Sequence, residues 1–67
     1  MIKKEIRLSI EFPEVNERVI TETSICYITN IDHVGQLIYF KDDQYLDSLS
    51  FADFLIRFRF INGEWTC

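Results

Sequence analysis

Apolar and polar side chains that alternate at every second position commit a segment to an extended strand, because successive residues of a strand point to opposite faces. This chain carries that signature near both ends. Ile6, Leu8, Ile10 and Phe12 are separated by Arg7, Ser9 and Glu11, while Phe54, Ile56, Phe58 and Phe60 are separated by Leu55, Arg57 and Arg59. The first run predicts a half-buried strand. Pro13 stops it, having no amide proton for a ladder, and the acidic stretch Glu14 to Glu17 suits a turn.

The second run is ambiguous, since Phe51, Phe54, Leu55 and Phe58 also fall at helical spacing. Ser50 followed by Asp53 resembles a capping box with Asp in place of Glu, which starts a helix at Phe51. The reading adopted is a short helix over Phe51 to Leu55 and then a strand over Ile56 to Ile61, because aromatic content favours a pleated surface. One longer helix over 51–61 is the alternative. Asn62-Gly63 is the preferred pair for a two-residue hairpin turn into Glu64-Trp65-Thr66-Cys67.

Between these runs, Arg18 to Ile31 is rich in Val, Ile, Thr and Tyr, and its alternation slips between Ile20 and Ile25. That slip predicts a bulge or bend near Thr23 and Ser24. Asn30 to Gly35 reads as a hairpin connection, with Gly35 available for a positive backbone dihedral, and Gln36 to Lys41 as the returning strand. Asp42-Asp43 reads as a turn, followed by brief pairing at Gln44-Tyr45-Leu46. The expected fold class is α+β, mainly β: an antiparallel sheet of four or five strands with one short helix, or the same sheet curled into a small barrel.

A chain of 67 residues allows one domain, taken as 1–67, and a domain this small buries only about 60% of the surface its unfolded chain exposes. Six Phe, three Tyr and one Trp compensate, because aromatic side chains bury large areas from few positions. No apolar stretch approaches the roughly 20 residues of a membrane span, and no apolar core follows the charges at the start, so a cytoplasmic location and no membrane partner are expected. Cys26 and Cys67 are read as free thiols, since small disulfide-dependent domains carry more cysteines. Two Cys and the single His33 lack the spacing of a zinc site, so no metal and no cofactor are expected.

No catalytic residue is assigned. His33 beside Asp32 in a hairpin turn lacks a visible nucleophile, Cys26 has no adjacent Lys or Arg to lower its pKa, and two glycines cannot build a phosphate loop. An enzyme is therefore not expected.

What stands out is charge. Eleven acidic residues face seven basic ones, a net charge of -4, and the acids gather as Glu11, Glu14, Glu17 and Glu22 and as Asp42, Asp43, Asp47 and Asp53. Such a surface steers association with a basic partner and at its limit imitates a phosphate backbone. The leading expectation is a small acidic inhibitor or regulator of another protein, acting as a DNA mimic on a nucleic-acid enzyme in its sharpest form. Its partner-binding residues are Glu22, Asp42, Asp43, Asp47 and Asp53.

Two short segments bear on this expectation. Ile20-Thr21-Glu22-Thr23-Ser24-Ile25 slightly resembles the Glu-Ser-Ile strand of phage inhibitors of uracil-DNA glycosylase. Leu49-Ser50-Phe51-Ala52-Asp53-Phe54 slightly resembles the Leu-Ser-Asp-Phe helix start of a second, unrelated inhibitor type. Thr23 is an insertion in the first, Ala52 replaces Ser in the second, and neither resemblance assigns the chain to a family.

Two other expectations compete. Arg57 and Arg59 flank aromatics, and with Trp65 they would serve a single-stranded nucleic-acid-binding module, although excess acid opposes phosphate contact. Terminal strands of a small sheet expose unpaired edges, through which a structural subunit forms a homodimer.

Overall fold

A computed structural model describes residues 12–67 of the chain. The strand expected over Ile6 to Phe12 thus lies outside the described residues except for Phe12 itself, which is in no strand. Six strands and one helix follow: β1 (Arg18–Ile20), β2 (Ile25–Asp32), β3 (Leu37–Lys41), β4 (Leu46–Ser50), α1 (Phe51–Arg57), β5 (Arg59–Ile61) and β6 (Glu64–Thr66). They form one sheet in the order β4-β3-β2-β1-β6-β5. The fold is α+β and mainly β as expected, with six strands where four or five were anticipated.

Every adjacent pair is antiparallel except β1 and β6, which run parallel with Val19 opposite Trp65. Helix α1 explains this exception, because it takes the chain from the β4 edge to the β5 edge, where the β5–β6 hairpin docks with β6 against β1. The barrel alternative does not form: the outer strands β4 and β5 are joined by the helix and not by a ladder.

Of the bulge or bend expected near Thr23 and Ser24, the structure has the bend, which lies between β1 and β2. Thr21 N–H donates to Ser24 O at 2.9 Å, and the Thr21 hydroxyl oxygen accepts from the amides of Thr23 at 3.2 Å and Ser24 at 3.0 Å. This staple reverses the chain over Glu22 and Thr23, since a hydroxyl two or three residues back satisfies turn amides that no ladder reaches. The irregularity of register falls instead at Thr29, between Ile28 and Asn30.

At the β2–β3 connection it is Gln36, not Gly35, that takes the positive dihedral, with φ 59°. Gly35 serves a different need. A Cβ there would lie 2.7 Å from Asp32 Oδ2, and Asp32 Oδ1 accepts from the amides of Val34 at 3.1 Å and Gly35 at 3.0 Å. The last turn behaves as expected, with Asn62 at φ 53° and Gly63 at φ 86°.

Ser50 caps α1 as its sequence predicts, its hydroxyl accepting from Asp53 N–H at 3.1 Å. The helix runs to Arg57, two residues beyond the expected end, and stops where Phe58 turns extended while its amide still donates to Phe54 O at 2.9 Å. Phe54 and Phe58 are thereby one helical turn apart on the inward face, with ring centroids 4.7 Å from each other. Phe54 also meets Trp65 at 5.3 Å, and Phe60 meets Trp65 at 4.9 Å. Each such pair contributes about 0.5–1.5 kcal/mol beyond burial. With Val19, Cys26, Ile28, Ile38 and Phe40 these rings fill the space between the helix and one face of the sheet.

Candidate functional site

The described residues do not cover the inward face of the sheet over its whole length. Where β1, β3 and β6 end and β2 and β4 begin, an open concavity of about 510 Å³ remains beside the C-terminal end of α1. Its floor is the exposed margin of the core, at Phe40, Leu49 and Phe58. Its rim is polar and comes from separate stretches of chain.

Glu22 stands on the tight β1–β2 turn, presented there by the Thr21 staple. Asp42 opens the β3–β4 turn, where Oδ1 accepts from the amides of both Gln44 and Tyr45 at 2.8 Å. Those bonds from Tyr45 and Gln44 hold its carboxyl below the usual carboxylate range, because they favour the charged form, and the Ser24 hydroxyl acts in the same direction. Asp47 lies on β4 opposite Phe40, and so turns toward the same side as the core. Among the described residues, Arg57, in the last turn of α1, supplies the single cation of the rim, against three carboxylates.

Three of the five acids expected to bind a partner are therefore brought together: Glu22, Asp42 and Asp47. Asp43 and Asp53 are not among the lining residues. Asp43 is exposed in the turn beside Asp42, and Asp53 occupies the first turn of α1, where its amide donates to the Ser50 cap. Tyr45, 72% exposed, and both cysteines also line the concavity, and the sequence carried no signal for their convergence. Cys26 is buried, Cys67 exposed, and both are free thiols. Among the described residues, no three His, Cys, Asp or Glu side chains are grouped so as to hold a metal ion. No described helix is long and apolar enough to cross a membrane.

The residues expected for nucleic-acid binding do not assemble. Trp65 is 2% exposed, its indole enclosed by Phe54 and Phe60, so it offers no stacking surface. Arg57 is helical and faces the concavity, whereas Arg59 pairs with Thr66 on the opposite face of the sheet. The physical reason is the longer helix: ending α1 at Arg57 takes that residue out of the strand on which it would have alternated with Arg59.

Comparison with known protein families, with curated proteins and with solved structures gave no match.

Proposed function

We propose that this protein is not an enzyme and works by binding another protein in the cytoplasm, as a small acidic inhibitor or regulator whose concavity accepts a cationic segment of its partner. The observation that carries this reading is the convergence of Glu22, Asp42 and Asp47, from two turns and a strand, on one open hollow whose floor is apolar. Carboxylates in such a concavity add their fields where low-dielectric walls focus them, which raises both the rate of encounter with a cation and discrimination against anions. The apolar floor suits the methylene stem of a Lys or Arg side chain. A nucleic-acid enzyme, whose binding groove is cationic, is the kind of partner for which DNA mimicry would be the mode of action.

Affinity capture from the native cell lysate, washed at low and then moderate salt, tests this. Capture of a basic protein that salt releases, and that Asp42→Lys/Asp47→Lys protein no longer retains, is the expected result. Equal retention by the variant, or retention of nucleic acid instead, would sink the reading.

A further inference from the structure

The outer strand beside the concavity carries a second feature. β4 ends the sheet on one side, and no described strand pairs with its outer edge. The bonds that bracket its ladder, Asp42 N–H to Tyr45 O at 3.1 Å and Phe51 N–H to Gln36 O at 3.0 Å, fix the alternation. Asp47 and Leu49 turn their backbone groups to β3, so Leu46 and Ser48 turn theirs outward.

An open edge is a template for another strand, and native sheets commonly blunt it with Lys, Pro or a bulge. β4, Leu46-Asp47-Ser48-Leu49-Ser50, has neither Lys nor Pro and keeps an unbroken register with β3. Its one charged residue is Asp47, and the carboxylate of Asp47 accepts from the outward amide of Ser48 at 2.8 Å. The side chain thus occupies the donor that an added strand would use.

We propose that the β4 edge is a strand-addition site for an extended segment of a partner protein, latched by Asp47, and that the segment alternates cationic and apolar residues. The cationic positions of this proposal rest on the acidic-concavity reading. Side chains of an added strand share the facing of the residues they pair with. The position opposite Asp47 faces the concavity, toward the side of Asp42 and Glu22, and is matched by a cation. Positions opposite Leu46 and Ser48 face the other side, where Leu46 is 63% exposed and is matched by an apolar residue. On arrival a carbonyl of the incoming strand takes the Ser48 amide proton, and the released Asp47 carboxylate pairs with the cation. Main-chain bonds then provide affinity and the alternating side chains specificity.

The test uses the full chain, a short peptide of alternating Arg and Val as probe, and amide hydrogen exchange read by NMR. Saturating peptide should slow exchange at Leu46 and Ser48 by about tenfold or more, while a peptide with Glu in place of Arg does nothing. Ser48→Pro removes the outward donor without touching a bond to β3, and should weaken the Arg-Val peptide about tenfold, the worth of roughly one such bond. Binding that perturbs Glu22 and Asp42 but leaves Leu46 and Ser48 amides as fast as before overturns the edge site and leaves the concavity reading standing. So does slow exchange at both amides in the free protein, or full peptide affinity in a folded Ser48→Pro variant. No binding of the peptide at low salt overturns both readings.

Discussion

The indole Nε1 of Trp65 donates a 2.8 Å hydrogen bond to Oε1 of Glu17, joining the last strand to the residue that leads into β1. The same carboxylate oxygen accepts from the amide of Glu14 at 2.8 Å, so one acid satisfies a turn and the polar corner of the largest buried side chain. Removing it leaves a buried donor without a partner. Glu17→Ala should therefore lower the unfolding free energy by about 1–3 kcal/mol, and Glu17→Gln, which keeps an accepting oxygen, by less. Urea unfolding followed by Trp65 fluorescence decides it, and equal stability of Ala and Gln variants would remove the bond from the account.

Asp42 predicts a pH dependence of definite sign. Its carboxyl is held below the ordinary range by the amides of Tyr45 and Gln44, so its contribution to stability is fully present above the unfolded carboxylate value and is lost as pH falls through the lowered folded one. Asp42→Asn protein should be less stable than wild type at neutral pH, with the gap closing below about pH 4. Thermal melts across that range measure the gap. A difference that stays constant with pH would show that charge is not what Asp42 contributes.

Gly63 isolates the cost of backbone conformation. It adopts φ 86°, and an added Cβ would have nothing within 4 Å, so Gly63→Ala introduces strain without a clash. A loss of about 1–2 kcal/mol is expected from placing an ordinary residue in the left-handed region. An unchanged melting temperature would mean that the turn relaxes to another type.

Arg57 separates the cation-binding reading from its rival. Among the described residues it is the only basic one lining the concavity, so Arg57→Ala makes that hollow more negative. A cationic peptide should then bind a few-fold more tightly at low salt, with a steeper loss of affinity on adding salt. Weaker binding of the cationic peptide, or a loss of affinity for single-stranded DNA, would favour the opposite assignment.

Local signals were legible where local chemistry decides the outcome. Asn62-Gly63 announced its turn through two positive dihedrals, and Ser50 with Asp53 announced the start of α1, because each operates within a few residues. The staple by Thr21 was also local, yet a hydroxyl that accepts from turn amides looks in sequence like any strand threonine. The end of α1 is not legible in the sequence because Phe54 and Phe58 satisfy both periods, and only the sheet beneath them selects the helical one. Pairing of β1 with β6 joins Arg18 to Glu64, and no nearest-neighbour pattern encodes it. The gathering of Glu22, Asp42 and Asp47 depends on the order of strands, which is why five acids were expected at the site and three are there.

That order of strands also bears on synthesis. β1 is the first of the described strands to be made, and one of its two neighbours, β6, is the last. While the chain is growing, the β2–β3–β4 meander can assemble behind β1, but Val19 has no Trp65 beside it until the final turn at Asn62-Gly63 has been translated. From the time β1 emerges until β6 has been made, the flank of β1 thus lacks its described partner strand. Completion of the sheet, and with it closure of the aromatic interior, is an event that can occur only once residues up to Thr66 have left the ribosome.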